Sequence, residues 1–233
     1  MLRDVQPEIL DDLPVDDPRA IQSRRDLQKV NAFMAHTAMV VRELRAAAPR
    51  LIVELGSGDG TFLLRVARRL NFHSRVRAIL IDRRPSLTAA TRTGFRNAGW
   101  DVDVCEVDVF EWLRRPEPEA SDVTVANLFL HHFRERDLAE LLALAARQTV
   151  RFIACEPRRS QTALIGASLL PLLGCNEVTV HDGKKSVRAG FRNQELSALW
   201  PPDRGWRLNE RRAGLFSHNF VAGKVSALCS PSC

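Results

Sequence analysis

Two adjacent histidines, His131 and His132, close the run "ANLFLHHF", and Glu156 closes a second apolar run, "FIACEP". Imidazole titrates near neutral pH, so a histidine just beyond a strand end is a natural general base. A carboxylate at the end of a neighbouring strand can orient it. Farther upstream, "LIVELGSGDG" runs from an apolar strand into a loop carrying Gly56, Gly58 and Gly60, with Glu54 at the strand end and Asp59 inside the loop. Such a loop lets a nucleotide-like ligand approach the backbone closely.

The loop's spacing and charge restrict which ligand that is. A dinucleotide fingerprint needs G-x-G-x-x-G, and Thr61 stands where its third glycine would fall. No GK[ST] follows, so a Walker-type phosphate loop is excluded as well. Glu54 and Asp59 would repel a pyrophosphate in a partly buried site, and would favour a ligand carrying an ammonium or sulfonium group. Asp82 ends the next strand, 28 positions later (82 − 54), where an acid accepts ribose hydroxyls. Asp108, in "CEVDVF", is placed to meet an adenine amino group, with Val109 and Phe110 beside it as apolar contacts.

The elements that position these residues alternate. "RLIVEL", "VRAILID", "WDVDVCEVDV", "DVTVANLFLHHF" and "VRFIACEP" read as strands, separated by "TFLLRVARRL", a helix beginning at Pro85, the turn "VFEWLRRP" and "RERDLAELLALAARQT" as helices. Continuous apolar strands alternating with helices predict a parallel sheet covered on both faces. The strand ends of such a sheet line one crevice, so Glu54, Asp82, Asp108, Asn127 and Glu156 should converge. On an extended segment successive side chains point oppositely, so only one of His131 and His132 should face the site.

Before this core, residues 1–15 are acidic and read as extended. One long helix or two shorter ones then begin with Asp17 as cap and Pro18 in the first turn. After Glu156 come an apolar helix, "QTALIGASLLPLLG", a second helix over "SVRAGFRNQELSALW", and two strands meeting at Ala213-Gly214. The domain reading is therefore an extension and helical cap over 1–47, a core over 48–225 with lid helices in 158–205, and a mobile tail over 226–233.

Composition narrows the class further. The 233 residues suffice for one α/β domain. Five cysteines without a CxxC pair argue against a disulfide framework and a structural zinc. Net charge is +6, but the arginines fall in dispersed pairs, which reads as solvated helix faces rather than a nucleic-acid stripe. No membrane span and no signal core are apparent, so the expected location is the cytoplasm.

Taken together, "VELGSGDG", "LIDRRP", "EVDVF", "ANLFLHHF" and "FIACEP" resemble, in order and spacing, the class I S-adenosylmethionine-dependent methyltransferases. The resemblance covers about Arg50 to Lys224. It implies a Rossmann-like α/β fold: a seven-stranded, mostly parallel sheet with an antiparallel last strand, helices on both faces and an N-terminal helical cap. It implies S-adenosyl-L-methionine as cofactor. Glu54, Gly56, Ser57 and Gly58, with Gly60 in the same loop, would hold the methionine part. Asp82, with Arg83 beside it, would hold the ribose, Asp108 and Val109 the adenine, and Asn127 would lie beside the sulfonium.

Methyl transfer is an in-line displacement that needs alignment, and a base when the acceptor is a hydroxyl. His131 or His132, oriented by Glu156, fits that role, as in small-molecule members with a double histidine. "NLFL" carries no Asn/Asp-Pro-Pro-aromatic motif, and no cysteine follows a proline, so nucleic acid is not the expected acceptor. A small phenolic or polyketide-like acceptor, methylated on oxygen or on carbon, is expected. An RNA or protein methyltransferase of the same fold and a non-catalytic S-adenosylmethionine-binding protein are the alternatives. His131-His132 with Glu156 does not compel metal ligation, and no metal is expected.

Overall fold

The computed structural model describes residues 1–14, 16–70, 75–115 and 120–225. The tail with Cys229 and Cys233, expected to be mobile, lies outside these residues. In chain order the elements are α1 (Ile9–Asp12), α2 (Pro18–Phe33), α3 (His36–Ala47), β1 (Leu51–Leu55), α4 (Thr61–Arg69), β2 (Val76–Asp82), α5 (Ala89–Asn97), β3 (Trp100–Glu106), α6 (Val109–Leu113), β4 (Ser121–Asn127), α7 (Glu135–Gln148), β5 (Thr149–Pro157), α8 (Gln161–Ser168), α9 (Glu177–Ala189), α10 (Glu195–Leu199), β6 (Trp206–Ala213) and β7 (Ser217–Lys224). Short 3-10 turns cover Leu130–His132 and Leu170–Leu173.

Among the described residues, seven strands form one sheet in the order β3-β2-β1-β4-β5-β7-β6. β7 runs antiparallel to both of its neighbours, and β1 to β5 pair in parallel. The order reverses between β1 and β4, and a crevice opens at the carboxyl ends of strands at such a point.

Strand alternation divides the core. Leu51, Val53 and Leu55 point to the face covered by α7 and α10, where Leu138, Leu142 and Trp200 pack. Ile52 points to the other face with Leu80 and Val125, under Leu44 of α3, Leu63 of α4 and Phe95 of α5. Glu54 shares that second face and is 2% exposed. A carboxyl group there costs stability unless something pairs with it.

Of the two readings left open for the cap, the structure has two helices, because Ala35 takes a left-handed φ of 57° between α2 and α3. Three sequence expectations are corrected. The helix expected from Pro85 starts at Ala89, where the Thr88 side chain accepts from Thr91 N. The helix expected over 186–200 is interrupted: Gly190 is extended, and a Cβ there would lie 2.3 Å from the Pro157 carbonyl oxygen. The fourth strand stops at Asn127, before the histidines. As expected, Asp17 caps α2, its Oδ1 accepting from Arg19 N at 2.8 Å.

Candidate active site

The glycine loop leaves β1 and is pinned to β2. Gly56 N and Ser57 N donate to the Ile81 carbonyl at 2.9 and 3.0 Å, and Gly58 N donates to Asp82 Oδ2 at 2.8 Å. Gly56 has φ 69°, and a Cβ there would sit 2.1 Å from the Phe129 ring. Gly58 has φ 55° and open space where a side chain would stand. Gly60 is the N-cap residue of α4. Asp59, inside the loop, turns to the start of α4, accepting from Thr61 N at 3.0 Å and Thr61 Oγ1 at 2.6 Å, and from Gln28 Nε2 at 3.2 Å. It acts on the loop through its field.

Burial, then the charges of Asp59 and Asp82, raise the Glu54 carboxyl well above the usual carboxylate range. Glu54 Oε2 and Ser57 Oγ are buried without hydrogen-bond partners. Buried polar atoms are ordinarily satisfied; neither residue lines the cavity that Gly56 and Gly58 line, but these two orphans just behind the loop leave hydrogen-bonding capacity for a ligand that brings an ammonium group. Asp82 has further capacity: each oxygen accepts one backbone bond, from Gly58 N and Arg84 N, and a carboxylate offers about four acceptor sites. Asp108 Oδ1 caps α6 through Phe110 N at 2.8 Å. Asp82, Arg83, Asp108 and Val109 line the same cavity as Gly56 and Gly58. These residues fit S-adenosylmethionine.

Asn127 is committed elsewhere. Its Oδ1 lies 2.7 Å from His36 Nδ1, and its Nδ2 donates to Asn31 Oδ1 at 3.0 Å. Burial holds the His36 imidazole neutral, with its pKa near 4. Asn127 thus ties the strand end to the two cap helices, and it is absent from the cavity wall. His36 and Asn31 carried no sequence signal for this role.

The histidines sit on a 3-10 turn rather than on a strand. Leu128 enters it at φ 51°, a strained conformation for a branched residue. Glu156 holds the turn in place. Its Oε1 accepts from Phe129 N at 3.0 Å and Leu130 N at 2.8 Å, and its Oε2 lies 2.7 Å from His131 Nδ1. The turn also overturns the expectation that only one histidine faces the site. The two rings lie 4.3 Å apart at 31°, and both line the cavity.

The N-terminal residues supply what the sequence did not suggest. They form a strap with α1 as its one helical turn. Asp182 of α9 accepts from Ile9 N and Leu10 N, both at 2.9 Å. The Arg3 guanidinium donates to the carbonyls of Ala189 and Phe133 and covers the Phe191 ring. Glu8 Oε1 reaches to 3.4 Å from His131 Nε2 and accepts from Ser186 Oγ. Asp11 Oδ2 lies 3.5 Å from His132 Nδ1.

The electrostatics follow from this geometry. Burial lowers the His131 pKa, but hydrogen bonds and charge from Glu156 and Glu8 outweigh it and raise the pKa to about 9. Burial opposes ionisation of Glu8, yet His131 brings its pKa down to about 2. Burial and the neighbouring His131 lower that of His132. Ligand atoms of Glu8, His131 and His132 lie within 4.8 Å of one another, a grouping that has divalent-cation ligand types. Two of the three, His131 and Glu8, also form an ion pair with each other.

The cavity measures about 860 Å³, at the upper end of the range for ligand sites. The cofactor end carries Gly56, Gly58, Asp82 and Asp108, and His131, His132 and Glu8 also line it. Its remaining wall includes Ala163, Ala167, Leu170, Leu172 and Phe216. His218 is satisfied away from the cavity, 2.7 Å from Glu210 Oε1. Cys155 is a buried small hydrophobe, its thiol pushed up to about 12 by burial. No helix among the described residues is long and apolar enough to cross a membrane.

Residues 52–150 match the family described as a methyltransferase domain. No curated protein matches the chain. Among solved structures, an O-methyltransferase family protein from Burkholderia thailandensis is 20% identical, with a TM-score of 0.58 over 90% of this chain and 61% of its own. N,N-8-amino-8-demethyl-D-riboflavin dimethyltransferase (RosA) from Streptomyces davawensis is 15% identical, with a TM-score of 0.58 over 94% of this chain and 62% of its own. The chain thus spans about three fifths of the length of both. Magnesium protoporphyrin IX methyltransferase (ChlM) from Synechocystis PCC 6803, with bound S-adenosylhomocysteine, is 11% identical, with a TM-score of 0.53 over 95% of this chain and 90% of its own. The fold is that of these enzymes.

Proposed function

We propose that this chain, whose residues 52–150 match a methyltransferase domain, is an S-adenosylmethionine-dependent methyltransferase of a small, partly apolar acceptor of phenolic or polyketide-like type, with His131 managing the acceptor's proton. One observation carries the choice of residue: the His131 imidazole is buried on the cavity wall with Nδ1 held by Glu156 at 2.7 Å. Its other nitrogen is directed toward Glu8, another cavity-wall residue. His132 lacks a carboxylate of comparable burial and distance.

Bound S-adenosylmethionine supplies an electrophilic methyl group on a sulfonium. Glu54 and Ser57 hold the ammonium end, and Asp82 and Asp108 hold the nucleoside end. His131 Nε2 accepts the acceptor's hydroxyl proton, while Nδ1–H stays on Glu156, which stabilises the imidazolium that results. Glu156 does not take the proton. It fixes the tautomer and the turn.

The raised pKa suits a phenol. Moving a proton from a phenol of ordinary pKa about 10 to an imidazole of pKa about 9 costs about 1.4 kcal/mol, against about 4.8 kcal/mol for an imidazole at 6.5. The strap therefore matches the base to a phenolic acceptor, and the enzyme reaches its active protonation state as pH rises toward 9. The walls exclude water and align the acceptor with the methyl group.

The test is turnover with S-adenosylmethionine and a panel of phenols. His131→Asn should lose about 10²- to 10⁴-fold in kcat with S-adenosylhomocysteine affinity intact. Retention of kcat within a few-fold would remove His131 from the chemistry.

A further inference from the structure

Between Gln161 and Cys175 the chain reads "QTALIGASLLPLLGC", fifteen residues with no charge, in a protein that is 27% charged overall. A helix apolar on all sides is ordinarily buried. Here α8 and the following 3-10 turn lie at the surface. Ile165 is 63% exposed, Leu169 51%, Leu172 81% and Leu173 50%. Leu169, Leu172 and Leu173 also line the cavity that reaches His131. The same side chains form both the wall of the site and the skin of the protein, so the cavity opens onto an apolar surface.

Exposed apolar surface continuous with a pocket marks a ligand groove. Where it enters the cavity the walls are small or lack side chains: Ala163, Gly166, Ala167 and Gly183. Polar groups line the rest of the cavity, with Glu8, His131 and His132 at the proton-handling site and Thr179, Asp182 and Ser186 on α9. The proton-handling groups and the surface leucines thus belong to one cavity.

The geometry points to an acceptor that is an amphiphile: a hydroxyl-bearing head at His131 and a linear apolar chain running along α8 and its 3-10 turn to the surface. The inference rests on the methyl-transfer reading above and names the substrate class that reading leaves open. A compact acceptor would leave the leucines of the mouth uncovered, whereas a chain of several carbons covers them.

The experiment is calorimetric titration of the full chain, saturated with S-adenosylhomocysteine, using resorcinols that carry n-alkyl chains from methyl to undecyl, each below its micelle concentration. Affinity should rise about fourfold per methylene, the equivalent of about 0.8 kcal/mol, and level off once the chain reaches solvent. Leu169→Ser and Leu172→Ser, at exposed positions remote from the glycine loop, should keep S-adenosylhomocysteine affinity and flatten the rise for the longer chains. A rise below about 1.5-fold per methylene, or no resorcinol binding at any length by protein that binds S-adenosylhomocysteine, overturns the amphiphile and leaves the cofactor reading standing. Failure to bind S-adenosylhomocysteine overturns both. Sedimentation showing a dimer that the serine variants dissociate, with the chain-length dependence unchanged, would give the leucines to a second copy and overturn the proposal.

Discussion

Replacing Glu8 with glutamine removes one of the two carboxylates that hold the His131 imidazolium, while keeping the side chain's shape. Unit charges 3.4 Å apart at an effective dielectric of about 20 interact by 332/(20 × 3.4), about 5 kcal/mol. At 1.36 kcal/mol per unit that is a ceiling of about 3.6 pKa units, and opposite charges at this range ordinarily shift a pKa by about one to three. The His131 pKa should therefore fall from about 9 by about one to three units in Glu8→Gln. The assay is NMR titration of ring-labelled histidines in the S-adenosylhomocysteine complex, with His131→Asn to assign the signal. In turnover, the acidic limb of kcat/KM should move down in pH by the same amount, because the base form becomes available earlier. Stability supplies a second check. A raised histidine pKa stabilises fully below about 6.5 and loses its effect as pH rises through 9. The depressed Glu8 pKa stabilises above about 4.5, and that effect fades as pH falls through 2. The wild-type advantage in Tm should peak between those windows, near pH 5 to 6, and narrow toward pH 9. An unmoved His131 pKa in the variant would refute the claim that the strap sets the base.

Four further outcomes follow from the same geometry. Glu156→Gln should lower kcat by about 10²- to 10⁴-fold, and should also loosen the Leu128–His132 turn, seen as faster amide exchange at Phe129 and Leu130, whose N–H groups it holds. Glu54→Gln should weaken S-adenosylhomocysteine binding by about 10- to 150-fold, the loss of one charge-assisted hydrogen bond of about 1.5–3 kcal/mol. In the unsubstituted protein, calorimetry in buffers of different ionisation enthalpy should show proton release on binding, because the ligand's ammonium ionises a carboxyl whose pKa is raised. Gly56→Ala, with φ 69° and a Cβ 2.1 Å from Phe129, should cost about 1–3 kcal/mol of stability in thermal melts and abolish cofactor binding.

The parts of the fold legible in the sequence are those set by local pattern. β1 to β5 show as apolar runs, and their ends place Glu54, Asp82 and Asp108 around the glycine loop because parallel strands share one direction. Contacts distant in sequence stayed hidden. The kink between α2 and α3 occurs at Ala35, which takes a positive φ without being glycine, and its anchor, His36 to Asn127, spans 91 positions. The run "LFLHHF" has the composition of a strand. It becomes a turn because Glu156, more than twenty positions away, claims the N–H groups of Phe129 and Leu130 that another strand would have bonded. Glu8 sits in an acidic stretch with no periodicity. Asp182 of α9, and Arg3 through the Ala189 and Phe133 carbonyls, fold that stretch back over the histidines. Gly190 lies inside the run read as one helix, and the close approach to Pro157 that makes glycine necessary there is a contact distant in sequence.

The most direct measurement is calorimetric titration of the protein with S-adenosylhomocysteine and, separately, with NAD, beside an Asp82→Asn variant. The account predicts micromolar binding of S-adenosylhomocysteine alone, weakened in the variant, whose amide accepts fewer hydrogen bonds from ribose. Binding of NAD in preference to S-adenosylhomocysteine would contradict it, and with it the inference from the buried Glu54 carboxyl that the loop receives a cationic ligand.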